Sequence, residues 1–321
     1  MLDTSCTAPN LILRPITLLR PALSGNIIDP STSIPWYPKY PILAIIMKLS
    51  TSFATALLIG SSLAVPSRLA ERTAARSSSR QSQPMQRILE DNQDTPEFRQ
   101  LSQNVQYSHN WAGAVWENSP PEGPFYAVSG TFTVPDPKAV GKPSGGTTAG
   151  SAWIGIDGDT YGAAILQAGV DFYVKADGKT SFDAWYEWYP DYAYDFEMSI
   201  AAGDVISIWV QSYSSSEGDV YIENQTTGET ASQQLKAPSE KSKLAGQNAE
   251  WIVEDFQSGG ELVSLVDFGT VTFTDAQAQA GESEKIIPVK GATTIELKQS
   301  DKVYTQTTIK EDTVLDVKYT G

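Results

Sequence analysis

The pattern of apolar and polar positions changes character three times along this 321-residue chain. From about residue 107 onward the two alternate in short runs. Residues 128–134 read VSGTFTV, and residues 204–213 read DVISIWVQSY, which sets Ile206, Ile208 and Val210 on one face. Residues 269–274 and 313–319 repeat the alternation. A period of two is that of a half-buried strand, because successive side chains leave a pleated backbone on opposite sides. Turn clusters interrupt the runs at Pro135-Asp136-Pro137, Asp177-Gly178, Thr227-Gly228 and Ser258-Gly259-Gly260. No stretch of this region holds a helical period beyond two turns, and no internal repeat is visible. A parallel α/β sheet would need helices that are not there. Short alternating runs with Gly-rich turns over residues 107–321 predict one all-β domain, an antiparallel sandwich or barrel.

The N-terminal third reads differently. Residues 1–46 carry seven prolines and no sustained period. From Met47 the text becomes MKLSTSFATALLIGSSLAVP: a Lys after a Met, an apolar run over 53–59, and small residues around Ser62-Leu63-Ala64. That describes a secretory signal peptide over residues 47–64. Residues 42–64 also have the length of a membrane anchor. Ser, Thr and Gly fill much of the stretch, so a cleaved signal is the expectation, with a secreted, extracellular product that keeps no stable membrane association. A signal belongs at a start, so Met47 is the expected initiator and residues 1–46 an extension foreign to the native protein. Residues 65–106 are rich in Arg, Ser and Gln. Arg68, Arg72, Arg76 and Arg80 are spaced by four and would stripe one face of a helix. Two readings stand for this segment. It is a flexible linker, or it is a basic propeptide that covers an acidic body until cleavage between Leu101 and Asn110.

Charge sharpens that boundary. Residues 1–100 carry 10 Lys/Arg against 7 Asp/Glu, whereas residues 101–321 carry 13 Lys, no Arg and 31 Asp/Glu, a net charge of −18. Such a body repels phosphate, so nucleic acid is excluded as a partner. Near pH 4 about half of those acids would be protonated and the net charge would almost vanish, so the body is expected to be more stable there than near pH 8. The single cysteine is Cys6 and the single histidine is His109. Disulfide scaffolds, thiol nucleophiles, Cys/His zinc sites and His-based triads are thereby excluded from the body, and no metal or cofactor is expected. No Gly-x-Ser-x-Gly elbow occurs. The remaining tools are carboxylates, neutral amides and aromatic rings.

Carboxylates gather with aromatics in three places: Trp153 to Asp157 with Gln167 and Asp171 beyond it; Asp183, Trp185 and Glu187; and Glu250, Trp251, Glu254 and Asp255. On a strand, Asp183, Trp185 and Glu187 would share a face. Glu250 and Glu254 would share another, with Trp251 and Val253 turned away. Such faces suit a polar chain ligand, peptide or glycan. They equally suit a core that buries the rings while the acids face water.

At these places the chain resembles the eqolisins, the fungal acid glutamic peptidases. The resemblance lies in SAWIGIDGDTYGAAILQAGVDFY (residues 151–173), FDAWYEWYPDYAYDF (182–196) and AEWIVEDF (249–256), and extends to NWAG (110–113) and VDFGTVTF (266–273). It implies a concanavalin-like β-sandwich, made as a preproprotein and secreted, that cuts polypeptide substrates at acid pH as a pepstatin-insensitive monomer held in check by its own propeptide. It implies Gln167 and Glu254 as the catalytic pair, and Trp153, Asp157, Asp171, Asp183 and Glu187 as residues lining the substrate cleft. Where some members carry a pair of cysteines, this chain has Tyr161 and Ala245, which puts the rigidity of those loops in question. A glutamate often found after Glu-Asp-Phe is Gln257 here.

The chemistry fits the residues. A glutamate with an ordinary pKa of about 4.3 divides between its two forms in acid, so Glu254 would activate a water and return its proton to the leaving amine. A carboxamide at Gln167 donates N–H to an oxyanion without titrating. The alternative is a concanavalin-like sandwich that binds carbohydrate without catalysis. A glycosidase pair of Glu250 and Glu254 is disfavoured, since four strand residues span roughly 13 Å. Asn224-Gln225-Thr226 is a sequon expected to carry a glycan on a turn.

Overall fold

The computed structural model describes residues 79–89, 105–141, 146–281 and 285–321. The expected signal peptide, the extension before it and most of residues 65–106 lie outside them. Among the described residues there is no helix long and apolar enough to cross a membrane.

Two large sheets pack face to face. The back sheet runs Glu229–Lys236, Glu217–Asn224, Val205–Ser214, Phe125–Thr133, Thr270–Ala280, Val314–Tyr319, Thr305–Glu311. Its strands show the alternation expected of them: in Val205–Ser214, Ile206, Ile208 and Val210 are buried while their neighbours are only partly covered. One face meets the core and the other meets water. The front sheet runs Lys302–Val303, Thr293–Gln299, Trp111–Trp116, Ala249–Glu254, Thr147–Ile156, Ile165–Lys175, Thr180–Tyr189, Tyr194–Asp195. Ladders are antiparallel except two short parallel pairings, Val105–Ser108 on Thr293–Gln299 and Ser264–Leu265 on Thr147–Ile156. Val105–Ser108 is thus laddered into the sandwich.

Four front-sheet strands do not alternate in burial at all. Ala249–Glu254 is buried throughout, and Trp111–Trp116, Thr147–Ile156 and Ile165–Lys175 nearly so. One of their faces supplies Ala152, Ile154, Leu166, Val170, Trp251 and Val253 to the inter-sheet core. The opposite face carries Trp153 and Ile252 in a second, smaller cluster with Trp111, Met85 and Trp185 of the neighbouring strand Thr180–Tyr189. The cover over that second face includes residues 79–89.

That segment is extended, not helical. Arg80–Gln81 adds to the hairpin Gln257–Ser258 and Glu261–Leu262 as a small third sheet. The hairpin turns at Gly259 and Gly260, both at positive φ (66° and 87°), as a two-residue loop matching strand twist requires.

Asn224 of the sequon closes the strand Glu217–Asn224. It is fully buried; its Nδ2 donates to Asp204 Oδ2 (2.8 Å) and Ser199 O (3.3 Å), and its Oδ1 accepts from the amides of Thr226 and Thr227. Its amide nitrogen is thus hydrogen-bonded inside the fold.

Candidate active site

Strand register sets the floor of the site. Three rows of facing residues cross the front sheet. The first is Glu250, Gly155, Gln167, Glu187; the second Ile252, Trp153, Gly169, Trp185; the third Glu254, Ser151, Asp171, Asp183. Gln167 and Glu254 therefore stand on one face, on either side of the Trp153 row. The indole joins them. Trp153 Nε1 donates to Glu254 Oε2 at 3.0 Å, while Cζ3 at the far edge of the ring lies beside Gly155, next to Gln167. Glycines make the crowding possible: a Cβ on Gly169 would fall 2.5 Å from both Ala152 O and Trp153 Cβ.

The residues expected at the site are brought together with one exception. Asp171 and Glu187 converge on Arg80, whose Nε and NH2 donate to the two oxygens of Asp171 at 3.0 Å each and whose NH1 donates to Glu187 Oε2 at 2.9 Å. Ser151 Oγ and Ser82 Oγ accept the remaining guanidinium hydrogens. The guanidinium lies 3.8 Å over the Trp185 ring and 4.7 Å over Phe256. Asp183 faces Asp171 across the ladder and is partly exposed. Asp157 is the exception. Its carboxylate accepts from the amides of Ala245, Gly246, Gln247 and Asn248 at 2.7–3.2 Å, which uses up its acceptor positions. It pins the loop that feeds the Glu254 strand. Tyr161 helps there: its hydroxyl donates to Lys243 O at 2.8 Å, tying together the loops that a cysteine pair would have bridged.

Residues 79–89 follow the cleft. The amide of Gln83 donates to Glu254 Oε1 (3.0 Å), the amide of Ser82 donates to Glu187 Oε2 (3.1 Å), and Met85 packs with Trp111 and Trp153. Asn110 Nδ2 holds the carbonyls of Gln83 and Pro84. Farther along, Arg87 pairs with Glu117 and Asp159. Sequence reasoning did not place Arg80, Ser82, Gln83 or Met85 here. Only the run of positive charge before an acidic body pointed to it.

Electrostatics follow from this cover. Burial pushes Glu254 up to about 7, against the pull of Arg80 and the hydrogen bonds of Gln83, Ser82 and Trp153. Burial likewise holds Glu187 well above the ordinary carboxyl range, although Arg80 opposes it. Under this cover Glu254 titrates well above the ordinary value expected for it. Gln167 is fully buried, and neither of its polar atoms has a partner among the described residues.

Comparison with known proteins places this geometry. The family description Peptidase A4 matches residues 109–319. Aspergillopepsin-2 of Aspergillus niger is 41% identical over 293 residues, covering 84% of this chain and 98% of its own. A crystal structure of scytalido-glutamic peptidase with a transition state analog inhibitor superposes with a TM-score of 0.57 at 33% identity, over 66% of this chain and 98% of that one. An eqolisin bound to the tripeptide Ala-Ile-His gives 0.55 at 31% identity over the same shares. The chain belongs to the peptidase A4 family, the eqolisins, and is a glutamic endopeptidase built on their two-sheet sandwich.

Proposed function

We propose that Gln167 and Glu254 are the catalytic pair and that residues 79–89 are part of a propeptide lying in its own enzyme's cleft. One observation carries both readings. An extended stretch of polypeptide follows the trough with the Gln83 amide on Glu254 Oε1, where a leaving nitrogen must receive its proton. With a substrate in place, Glu254 takes a proton from water as the water oxygen attacks the carbonyl carbon. The C=O electron pair moves to oxygen, and Gln167 Nε2–H donates to that oxyanion. Glu254 then gives its proton to the nitrogen as the C–N bond breaks. Trp153 Nε1 keeps one carboxyl oxygen occupied and leaves the other for this work. Removing a single oxyanion donor typically costs about 3 kcal/mol, on the order of a hundredfold in rate.

The charge pattern supports the inhibitory role. Arg80 and Arg87 meet four carboxylates of the body. Gln167 receives no hydrogen bond from the segment, which engages one member of the pair and not the other. Cleavage before Val105 would free the segment without breaking the Val105–Ser108 ladder. Secretion through a signal at residues 47–64 completes the reading. The test is digestion of casein or haemoglobin at about pH 3 to 4 with pepstatin present. Folded Gln167→Ala and Glu254→Ala variants are each expected to lose about a hundredfold or more. Near-native turnover by either removes that residue from the pair. Absence of any digestion by the unaltered protein, with oligosaccharide binding in its place, would favour the carbohydrate-binding sandwich.

A further inference from the structure

The cleft floor holds a carboxyl that cleavage by Gln167 and Glu254 leaves unused. Glu250 lies in the same row as Gln167, with only Gly155 between them. It has no exposed surface, and neither of its carboxyl oxygens has a hydrogen-bond partner among the described residues. The same holds for both polar atoms of Gln167. A Cβ at Gly155 would stand 3.1 Å from Glu250 Oε1 and 3.1 Å from Gln167 Cβ. The missing side chain is what lets the two long side chains approach each other. Buried polar groups left without partners are costly, and each of these is what the other lacks.

We propose that Glu250 is the positioning residue for Gln167: its protonated carboxyl donates O–H to Gln167 Oε1 and so turns Nε2–H toward the substrate carbonyl. The proposal rests on the reading of Gln167 as oxyanion donor. A carboxamide fits a site in either of two orientations related by a flip, and only one presents N–H to an oxyanion. A neutral acid at Glu250 selects that orientation. An ionised one would accept from Nε2 and select the other. Burial holds the Glu250 carboxyl well above its ordinary range, and repulsion from Asp157 and Asp159 acts in the same sense. At the far end of the row Glu187 faces Arg80, which leaves no cation beside Glu250 in that row.

The test is kinetic. Glu250→Met, close in volume and without a donor, is expected to lower kcat by tenfold to a hundredfold at unchanged KM, on the order of losing one oxyanion donor. Glu250→Gln, whose amide also donates to Gln167 Oε1, is expected to recover most of that loss. In a Gln167→Ala background, Glu250→Met should cost nothing more, because Glu250 acts only through Gln167. Near-native kcat in a folded Glu250→Met, or losses that multiply in the double variant, would overturn the proposal while leaving Gln167 catalytic. An active Gln167→Ala would instead sink the reading beneath it. Should Glu250→Met not fold, carbon-13 NMR of the unaltered protein decides. The Gln167 side-chain carbonyl signal, assigned by its loss in Gln167→Ala, must move as the Glu250 carboxyl titrates, and a signal that stays still rejects the contact.

Discussion

Arg80 and Asp171 meet through two parallel hydrogen bonds, each 3.0 Å, with the side chains 3% and 0% exposed. A fork of this kind matches guanidinium to carboxylate in both geometry and charge. Its strength lies less in the attraction than in what remains when one partner leaves. Breaking a buried pair strands the other charge, at a cost of about 3–5 kcal/mol. A synthetic peptide of residues 79–89 should therefore inhibit the processed enzyme, and the same peptide carrying Arg80→Ala should bind at least a hundredfold more weakly. Arg80→Lys should not restore the loss, since an ammonium cannot span both oxygens of Asp171 and still reach Glu187. Inhibition constants near pH 5 would decide.

Much of this arrangement was legible in the chain, and the misses have physical causes. Alternation located the back-sheet strands because one of their faces is wet. The rule of two placed Glu250 with Glu254 and Asp183 with Trp185 and Glu187, although burial on both faces hid the period in the front sheet. The bonding of Asp157 and Asn224 was not legible. A short motif names the residue but not its bonding, and the amides that claim Asp157 lie about 90 residues away.

Asp157 should matter to the fold before it matters to the rate. It sits at φ 68°, a conformation that Asp tolerates better than most residues, and its carboxylate closes four backbone amides over residues 245–248. Asp157→Ala would leave those donors unpaired and strain the backbone. A destabilisation of about 3 kcal/mol or more is expected, as for losing several hydrogen bonds to a charged group. Thermal unfolding at the pH of best stability should show the drop, while the KM of the fraction that remains folded should change little. A large rise in KM with an unchanged melting temperature would return Asp157 to the substrate cleft.

Stability itself should run downhill from acid to neutral pH. Burial pushes Asp255 up to about 8 and Glu296 up to about 7, against the hydrogen bonds from Gln299 to the first and from Thr305 and Thr307 to the second. A carboxyl raised in the folded state binds its proton more tightly there than in the unfolded chain. Its contribution is complete below about pH 4 and is lost as pH rises through the folded value. The body's net charge of −18 near neutrality pushes in the same direction. The melting temperature of protein freed of residues 79–89 should therefore be higher near pH 4 than near pH 8. Glu296→Gln isolates one contribution. The amide keeps an acceptor for the Thr307 N–H and a donor for Thr305 Oγ1 but cannot ionise. It should match the native melting temperature near pH 4 and exceed it near pH 8, by up to about 3 kcal/mol in stability. Equal losses at both pH values would mean that Glu296 is held for its shape and not for its proton.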